Sequence, residues 1–470
     1  MFRFSRWGRL SACLVLIVLS AKAQPADWLY TARYVVTMDA SHRLIENGAV
    51  AVQGDHIIAV GPRAEIERQH PAKQRLDRPD AILLPGLVNT HAHAAMSLLR
   101  GIADDLALQD WLTKFIFPAE AKNVSPDFVL WGTRLACLEM MLSGTTTYVD
   151  MYYFEDRVAQ ATKEAGMRGV LGETIIGFPV PDAKTPGDSL RFTEGFIKQF
   201  KGDPLIVATV APHALYTNSD ADLQACRRLA NRYGVPLVIH LSETKKENDD
   251  ARAARGMSPT QILEKLGVLD GPTIAAHGVW LDDADIQILK QHGTGIGHCP
   301  TSNMKLASGI APVLKLLAAG VPTGLGTDGP AGSNNDFDLM EDMNLASDLQ
   351  KVTSGDPRAL PAEKALEMAT IDGARVAGLD KQIGSLEPGK KADFITLRLD
   401  RPHAVPLYNV YSQIVYALKG SDVQDVTVNG KQIVRDGRSL TLDAHAIIEK
   451  AKEYRVKVSA SLGSTGASRP

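Results

Sequence analysis

Cysteine is scarce in this sequence, with four among 470 residues. No Cys-x-x-Cys pair occurs, and Cys13 lies in an N-terminal segment that we expect to be removed. The remaining Cys137, Cys226 and Cys299 are widely scattered, which is not the pattern of a disulfide framework. We therefore interpret all three as small buried apolar residues.

An excess of charge of one sign is also lacking. The 51 lysines and arginines nearly balance the 54 acidic residues, the formal net charge is −3, and no basic run stands out. Nucleic acid and anionic membrane surfaces are therefore poor candidate partners. The hydrophobic fraction of 45% and the charged fraction of 22% are ordinary for a globular protein. The length accommodates one large domain with a smaller one.

A long hydrophobic run is missing as well, but the N-terminus has the features of a secretory signal peptide at residues 1–23. Three arginines precede a short apolar core at residues 10–19, and Ala-Lys-Ala at residues 21–23 gives a small-x-small cleavage pattern. The apolar core is too short to span a bilayer comfortably. We expect the mature protein to be exported, to a bacterial periplasm, with an uncleaved anchor as the alternative.

In the middle of the chain, apolar runs alternate with amphipathic stretches. Near-continuous Val, Ile and Leu runs are typical of parallel strands buried on both faces. Eight such runs separated by helices favour an α/β fold of the (β/α)8 barrel type. A doubly wound sheet is the alternative, but no Gly-rich dinucleotide fingerprint follows any strand. The eight candidate strands are LLPGLVNTHAH, TTTYVDMY, RGVLGETI, LIVATVAPHALY, PLVIHLSE, TIAAHGV, GTGIGHCP and PTGLGTDG.

The sequence that flanks this region on both sides has a different pattern. Near Trp28–Val60 and again after Gly384, β-prone runs alternate with turn signals, which predicts a small β-sandwich module built from both chain ends. Residues Asp443–Leu462 have the pattern of an amphipathic helix that packs on the barrel or on a second subunit. The predicted divisions are a signal peptide at 1–23, a composite β-sandwich at 24–84 and 386–440, a barrel at 85–385, and a C-terminal helix and polar tail at 441–470.

Polar residues concentrate at the predicted C-terminal ends of the barrel strands, where barrel enzymes place their chemistry. His91 and His93 end the first strand and, being two residues apart, point to one face of an extended chain. With His240 on the fifth strand and Asp328 on the eighth, they supply the N and O ligands that suit zinc. We expect one divalent metal ion, zinc or alternatively Fe²⁺, because His213 stands where a carboxylated lysine would hold a second.

Four motifs, PGLVNTHAHAAMSLLRG, HLSET, HCPTSN and GTDG, resemble the amidohydrolase superfamily over about residues 28–440. Within it, they are most similar to deaminases that act on S-adenosylhomocysteine, methylthioadenosine and related nucleosides. The triazine chlorohydrolases belong to the same neighbourhood. The resemblance implies the following roles: metal ligands His91, His93, His240 and Asp328; catalytic residues Glu243 and His277; substrate contacts Trp111 and His213.

These residues support a coherent hydrolytic chemistry. A bound metal lowers the pKa of water from about 15.7 toward 7. Asp328 would accept a proton from the attacking water, and Glu243, three residues beyond His240, would pass a proton to the adjacent ring nitrogen. His277 would stabilise the developing charge. The alternatives are an exposed strand-end acid for Glu243 and a structural core histidine for His277.

The substrate contacts are less specific. Trp111 could stack on a purine or cap a ribose, and a buried helix aromatic is the alternative. His213 could hydrogen-bond ribose hydroxyls, with a structural role as the alternative. We expect His298 to be structural and Asn303 to line the pocket.

One departure concerns the end of the third strand. Relatives that accept S-adenosylhomocysteine hold its carboxylate with arginines near this position, where this chain has Gly172-Glu173-Thr174. A carboxylate of Glu173 in contact with substrate would repel that group. Arg191 is the nearest substitute, although an exposed loop arginine is the preferred interpretation. We therefore expect adenosine-like or other aminated heterocycles rather than S-adenosylhomocysteine.

The predicted function is that of a zinc-dependent hydrolase of non-peptide C–N bonds, which deaminates an adenosine-like nucleoside of the adenosine, methylthioadenosine or S-adenosylhomocysteine class. Hydrolysis of another aminated or halogenated heterocycle, of the guanine, pterin or triazine type, is the alternative. A non-catalytic exported barrel is disfavoured because no ligand or proton carrier is missing. The expected partner is a small heterocyclic substrate, in a homo-oligomer with no nucleic acid and no membrane after signal cleavage.

Overall fold

The computed structural model describes residues 25–462. The predicted signal peptide, at residues 1–23, and the polar tail after Leu462 lie outside the described residues. Of the helices in residues 25–462, none combines the length and the apolar character needed to cross a membrane.

The strands fall into three groups along the chain. The first group is β1 (Ala26–Val36), β2 (Leu44–Gln53), β3 (His56–Pro62) and β4 (Ala72–Pro85). The second is β5 (Leu87–Ala92), β6 (Thr145–Tyr152), β7 (Arg168–Ile175), β8 (Ile206–Pro212), β9 (Leu237–Leu241), β10 (Thr273–His277), β11 (Gly295–His298) and β12 (Thr323–Leu325). The third is β13 (Phe394–Arg398), β14 (Val423–Val428), β15 (Lys431–Arg435) and β16 (Arg438–Ser439).

The α-helices lie mainly between the strands of the second group. They are α1 (Arg63–Gln69), α2 (Leu108–Asp110), α3 (Phe117–Asn123), α4 (Pro126–Leu142), α5 (Glu155–Ala165), α6 (Pro186–Gln199), α7 (Asp220–Tyr233), α8 (Lys245–Arg255), α9 (Pro259–Lys265), α10 (Asp283–His292), α11 (Pro300–Lys305), α12 (Val313–Ala319), α13 (Leu339–Ser354), α14 (Ala362–Ala369), α15 (Ile371–Val376), α16 (Val410–Ser412) and α17 (Ala444–Leu462). Short 3₁₀ turns cover Ala94–Leu99, Leu215–Thr217, Pro402–Ala404 and Gly420–Asp422, and π-helical turns cover Trp111–Ile116 and Gln413–Ala417.

The barrel consists of the eight strands β5 to β12, which pair in parallel in chain order. A parallel bridge between Ala92 and Asp328 joins the first strand to the segment after the last and closes the barrel. Every residue of β6 and β7 is buried, as expected for strands covered by the interior on one face and by helices on the other. The predicted (β/α)8 fold is confirmed, with all eight strands at the predicted motifs.

The strands of the two chain ends form one eight-stranded sheet in the order β16-β15-β14-β13-β4-β1-β2-β3. The pairing of β4 with β13 joins the N-terminal and C-terminal parts, with Leu84 opposite Ile395. The predicted module built from both ends is thus present. It passes into the barrel between Pro85 and Leu87, close to the boundary predicted after residue 84.

An ion pair links the barrel to this sheet. The Arg168 guanidinium at the start of β7 contacts the Asp393 carboxylate, just before β13, with Nη2 and Oδ2 3.0 Å apart. Both side chains are buried. A buried, hydrogen-bonded pair of this kind fixes the two layers against each other, since separating them would leave an unpaired charge in the interior.

The C-terminal helix α17 is confirmed and packs on the barrel helices α3 and α4. Tyr454 is its central anchor, because its ring lies 5.5 Å from that of Phe128 and its hydroxyl donates a hydrogen bond to Asp127 Oδ2 over 2.5 Å. Of the two predicted partners for this helix, the barrel is the one that it contacts.

Candidate metal centre and active site

Three histidines and an aspartate converge at the C-terminal end of the barrel. His91 and His93 lie on and just beyond the end of β5, His240 on β9, and Asp328 follows β12. Asp328 Oδ1 lies 3.4 Å from His91 Nε2 and 3.3 Å from His93 Nε2. The geometry defines two ligand groups, in each of which one ligand atom per residue lies within 4.8 Å of the others: His91, His93 and His240, and His91, His277 and Asp328. They share His91 and so describe one centre.

The protonation of two of these rings is fixed by backbone carbonyls. His93 Nδ1 donates to Met151 O over 2.7 Å, and His240 Nδ1 donates to His213 O over 2.8 Å. Burial lowers the pKa of His240 well below its usual range, which keeps the ring neutral. The Nε2 atoms of His93 and His240 face each other over 3.4 Å. A metal ion bound by both atoms would hold the two rings in this arrangement.

This donor set fits zinc. Burial lowers the pKa of His91 to about 4, so that this ring too is a neutral ligand. Among the described residues, His91 Nδ1 has no hydrogen-bond partner. The His91 imidazole therefore interacts only with the other groups of the metal centre. Three imidazoles and one carboxylate, with room for water, are the ligands of a catalytic rather than a structural zinc site. The side chains present accommodate one ion.

Asp328 is held in place by its neighbours. Although burial opposes it, hydrogen bonding to His91 and the nearby histidines hold the pKa of Asp328 well below its usual range. Ser302 on α11 donates from Oγ to Asp328 Oδ2 over 2.7 Å, which leaves Oδ1 directed at the histidines. The backbone of Asp328 is left-handed, with φ of 62°, and that of His277 is similar at 73°. Such backbone conformations are costly for these residues and are concentrated at functional sites.

Glu243 and His277 lie beside the metal ligands. His277 Nε2 is 3.8 Å from Glu243 Oε2, and both side chains are buried. Burial, reinforced by the charge of Asp328, raises the pKa of Glu243 well above its usual range. A carboxyl group whose pKa is raised in this way is suited to donate a proton. His277 Nδ1 donates to Asn303 Oδ1 over 3.1 Å, so its Nε2 is an acceptor directed toward the centre.

A cavity opens from this centre. His93, His240, Glu243, His277 and Asp328 form its inner end. The rest of the wall is mostly apolar and aromatic, including Met96, Leu108, Leu112, Ile116, Phe117 and Met151.

Two of the predicted substrate contacts line this cavity. Trp111 is buried in the segment that covers it, and its Nε1 donates to Ala331 O over 2.9 Å. His213 also lines the cavity, and burial lowers its pKa to about 3. Its Nδ1 lies 3.1 Å from Thr217 Oγ1. Both side chains are thus placed to touch a bound ligand.

Other predicted residues lie elsewhere. Glu173 does not line the cavity, because Thr174 does and adjacent strand residues face opposite sides. Instead, Glu173 is buried behind the strand and accepts a hydrogen bond from Glu155 N over 3.1 Å. Glu173 is therefore not positioned to repel a substrate directly, contrary to the expectation from the sequence. Asn303 does not line the cavity either and contacts His277 instead.

Arg191 and His298 are also remote from the cavity wall. Arg191 is exposed on α6 rather than on a loop, and it pairs with Asp188. His298 is fully buried at the end of β11, as expected for a structural residue. Neither side chain contributes to the lining of the cavity.

Glu120 is a residue of this wall that the motifs did not reveal. It lies on α3 and accepts hydrogen bonds from the hydroxyls of Tyr152, over 2.7 Å, and Tyr153, over 3.4 Å. Burial raises its pKa to about 7, against the effect of the two tyrosines. A carboxylate in a mostly apolar wall is a specific hydrogen-bond acceptor for a ligand. The sequence shows only that Glu120 follows the loop after the first barrel strand. No motif or residue spacing marks it as a residue of the cavity wall.

Known protein families and known relatives resemble this chain over most of its length. The model of the amidohydrolase family matches residues 82–433, and that of the bacterial imidazolonepropionase-like composite domain matches residues 48–72. The chain is 46% identical over 436 residues to 5-methylthioadenosine/S-adenosylhomocysteine deaminase 1 of Syntrophus aciditrophicus, covering 93% of this chain and 98% of that protein. It is 44% identical over 426 residues to the corresponding deaminase of Thermodesulfovibrio yellowstonii, covering 90% and 97%.

Solved structures share the fold. A crystal structure of an adenosine deaminase from Xanthomonas campestris with bound zinc has a TM-score of 0.91 at 39% identity, covering 93% of this chain and 99% of that one. Atrazine chlorohydrolase from Arthrobacter aurescens complexed with zinc has a TM-score of 0.84 at 24% identity, covering 91% and 100%. The second likeness concerns the fold alone.

A (β/α)8 barrel with histidine and aspartate ligands at its C-terminal end, and a buried carboxyl group beside them, defines a metal-dependent hydrolase. The composite sheet from both chain ends accompanies it. The chain belongs to the amidohydrolase family.

Proposed function

We propose that this protein is a zinc-dependent deaminase of adenosine-like nucleosides. The observation that carries the proposal is the position of the buried Glu243 carboxyl group, which lines the cavity beside the predicted metal ligands and lies 3.8 Å from His277 Nε2. Deamination of a purine needs a group that donates a proton to the ring nitrogen next to the attacked carbon, and Glu243 lines the cavity within reach of the centre. The named activities of the relatives, at 44–46% identity, support the same reaction.

His91, His93, His240 and Asp328 would hold the zinc ion. When bound, zinc lowers the pKa of water enough to make it a nucleophile at neutral pH. His277 Nε2, whose lone pair is set by the Nδ1 contact to Asn303, accepts a hydrogen bond from the attacking water and orients it. Asp328 accepts the proton that the water loses. Its hydrogen bond from Ser302 keeps the second oxygen in place for that transfer.

Glu243 completes the proton transfers. It donates its proton to the ring nitrogen as water adds to the neighbouring carbon, so that the ring loses aromaticity without building up charge. The amino group then takes up the proton that Asp328 received and leaves as ammonia, and the hydroxyl proton of the added water returns to the Glu243 carboxylate as the carbonyl group forms. Overall, one water is consumed and the amino group is replaced by a carbonyl oxygen.

The rest of the cavity would hold the sugar. With the ring at the metal end, the Glu120 carboxylate is the strongest acceptor available for ribose hydroxyls, and His213 is a second polar contact. Trp111 would cover the nucleoside from the side of the covering segment. The positions of Glu120, His213 and Trp111 in the cavity wall support these proposed contacts.

Two further proposals concern the setting of the enzyme. The features of residues 1–23 support export to the periplasm, where the enzyme would act on nucleosides outside the cytoplasm. We also propose a homo-oligomer. Cell fractionation and light scattering of the purified mature protein test these two points separately.

The proposal is tested by ammonia release from the zinc-loaded protein with adenosine, guanine and an aminotriazine, and by chloride release from a chlorotriazine. Adenosine turnover that falls by about 1,000-fold or more in Glu243→Gln is the expected result. Glu264→Gln, a change at an exposed glutamate of α9, serves as the matched control. Turnover of guanine or a triazine in place of adenosine would overturn the nucleoside assignment.

A further inference from the structure

The cavity lacks positive side chains. Among the described residues, no lysine or arginine lines it. The ionisable groups of the wall, apart from the histidines, are Glu120, Glu243, Asp328 and the tyrosines at positions 152, 153 and 216. All of these are neutral or acidic. A ligand group with negative charge would find no counter-ion in this wall.

One side of the wall is apolar. Leu108, Leu112, Ile116 and Phe117 lie on one covering segment, residues 108–117. Trp111 fixes this segment by its hydrogen bond to Ala331 O. Such a wall suits an alkyl or thioether substituent, which gains contact area without losing hydrogen bonds to water.

Two cations beside the cavity are already paired. A depression that Tyr216 also lines contains Lys246 and Arg255. Lys246 lies 2.7 Å from Asp250, and Arg255 lies 2.7 Å from Asp220. A ligand carboxylate reaching this depression would compete with both aspartates in solvent, where an ion pair contributes little.

We propose that the protein selects adenosine derivatives whose 5′ substituent is uncharged, such as a hydroxyl or a short thioether, and discriminates against an amino-acid tail. The inference rests on the proposed function, and it places the 5′ substituent against residues 108–117 when the ring lies at the metal end and the ribose at Glu120. A carboxylate there loses its water, gains no cation and approaches the acidic Glu120. A thioether meets none of these costs.

Three 5′ substituents on one nucleoside separate charge from length. They are the methylthio group, the butylthio group and the homocysteine tail, which resembles butylthio in length but carries an amino group and a carboxylate. We expect similar kcat/KM for the two alkylthio compounds and a value about 100-fold lower for the homocysteine compound. Equal values for all three would overturn the inference. So would an equal loss for both long tails, since length would then be the cause.

A gain of charge provides the converse test. Phe117→Arg places a guanidinium at the edge of the cavity, where the phenyl ring is only partly buried and lies 5.5 Å from that of Phe178. Phe115→Arg adds the same charge on the exposed side of the same segment, outside the wall. We expect the ratio of homocysteine to methylthio kcat/KM to rise about tenfold in Phe117→Arg and to stay unchanged in Phe115→Arg. No rise in Phe117→Arg, with the variant folded by circular dichroism, would contradict the proposal.

Binding separates a failure of this inference from a failure of the deaminase function. Calorimetric titration of zinc-loaded Glu243→Gln with the same three nucleosides measures affinity without turnover. If no compound is deaminated but the alkylthio compounds bind about 100-fold more tightly, the deaminase function fails and the selection of the substituent stands. If deamination occurs but the three affinities and rates are alike, the selection fails and the function stands. If none of the three binds, both fail.

Discussion

His93 Nε2 and His240 Nε2 lie 3.4 Å apart although the Nδ1 atom of each ring donates its proton to a backbone carbonyl. A zinc ion bound by both Nε2 atoms would hold the two rings in this arrangement. The zinc ion would then stabilise the folded structure as well as take part in the reaction.

Removal of zinc should therefore lower stability. We expect chelation to reduce the free energy of unfolding by about 4 kcal/mol when free zinc had been near 1,000 times its dissociation constant. Denaturant unfolding with and without chelator measures the difference, and added zinc should restore it. The variant His42→Ala, at a histidine paired with Glu363 far along the chain, should keep the same response. An unchanged midpoint after verified metal loss would contradict this account of the site.

Ser302 is a positioning residue for Asp328. Ser302→Ala removes the hydrogen bond to Oδ2, which frees the carboxylate to rotate, and should weaken zinc binding by about 10- to 100-fold. Competition with a chromogenic chelator measures this affinity directly. Ser302→Thr should recover part of it because the hydroxyl is retained. As a matched control, Ser189→Ala removes a buried hydroxyl that has no partner among the described residues and should leave zinc affinity unchanged.

Glu120 gives a pH dependence that can be assigned. Its folded pKa is raised to about 7 by burial, so the carboxyl group is protonated below that pH and accepts hydrogen bonds fully only above it. We expect kcat/KM for adenosine to rise as pH increases from about 6 to 8. This rise of kcat/KM with pH should be absent when the substrate is 2′,3′-dideoxyadenosine, and it should also be absent in Glu120→Gln. In that variant, we expect kcat/KM for adenosine to fall by about 10- to 100-fold. A step of equal size with the dideoxy substrate would show that another group titrates.

The link between barrel and sheet should be sensitive to loss of one charge. Asp393→Asn leaves the Arg168 guanidinium, whose side chain is 3% exposed, without its counter-ion. We expect a loss of about 3–5 kcal/mol in the free energy of unfolding. Asp250→Asn, which breaks the exposed pair with Lys246, should cost less than about 1 kcal/mol. Similar losses in the two variants would mean that the buried pair has no special role.

Much of the fold was predictable because its signals are local. The apolar runs gave all eight barrel strands, and the His91-x-His93 spacing identified the strand whose end carries two ligands. The convergence of His240 and Asp328 followed from a general property of parallel barrels, in which all strand ends meet at one face. The pairing of β4 with β13, over about 310 residues, followed only from the similar texture of the two ends.

The rest of the site depends on which way side chains point. Glu173 was expected to face substrate, but strand alternation turns it away and places Thr174 in the wall. Glu120 was missed because its role comes from the packing of α3 against Tyr152 and Tyr153, which no spacing encodes. Ser302 was part of a recognised motif, yet its contact with Asp328 depends on how α11 packs against the end of β12.

The central claim is that water replaces the amino group of a nucleoside at this centre with Glu243 as proton donor. Its most direct test is turnover of 5′-methylthioadenosine in heavy-oxygen water, followed by mass spectrometry of the nucleoside product. We expect one heavy oxygen in the product and release of one ammonia per turnover. In zinc-loaded Glu243→Gln, the rate of formation of both products should fall about 1,000-fold or more. A product that carries no heavy oxygen, or a Glu243→Gln variant as active as the parent protein, would contradict the account.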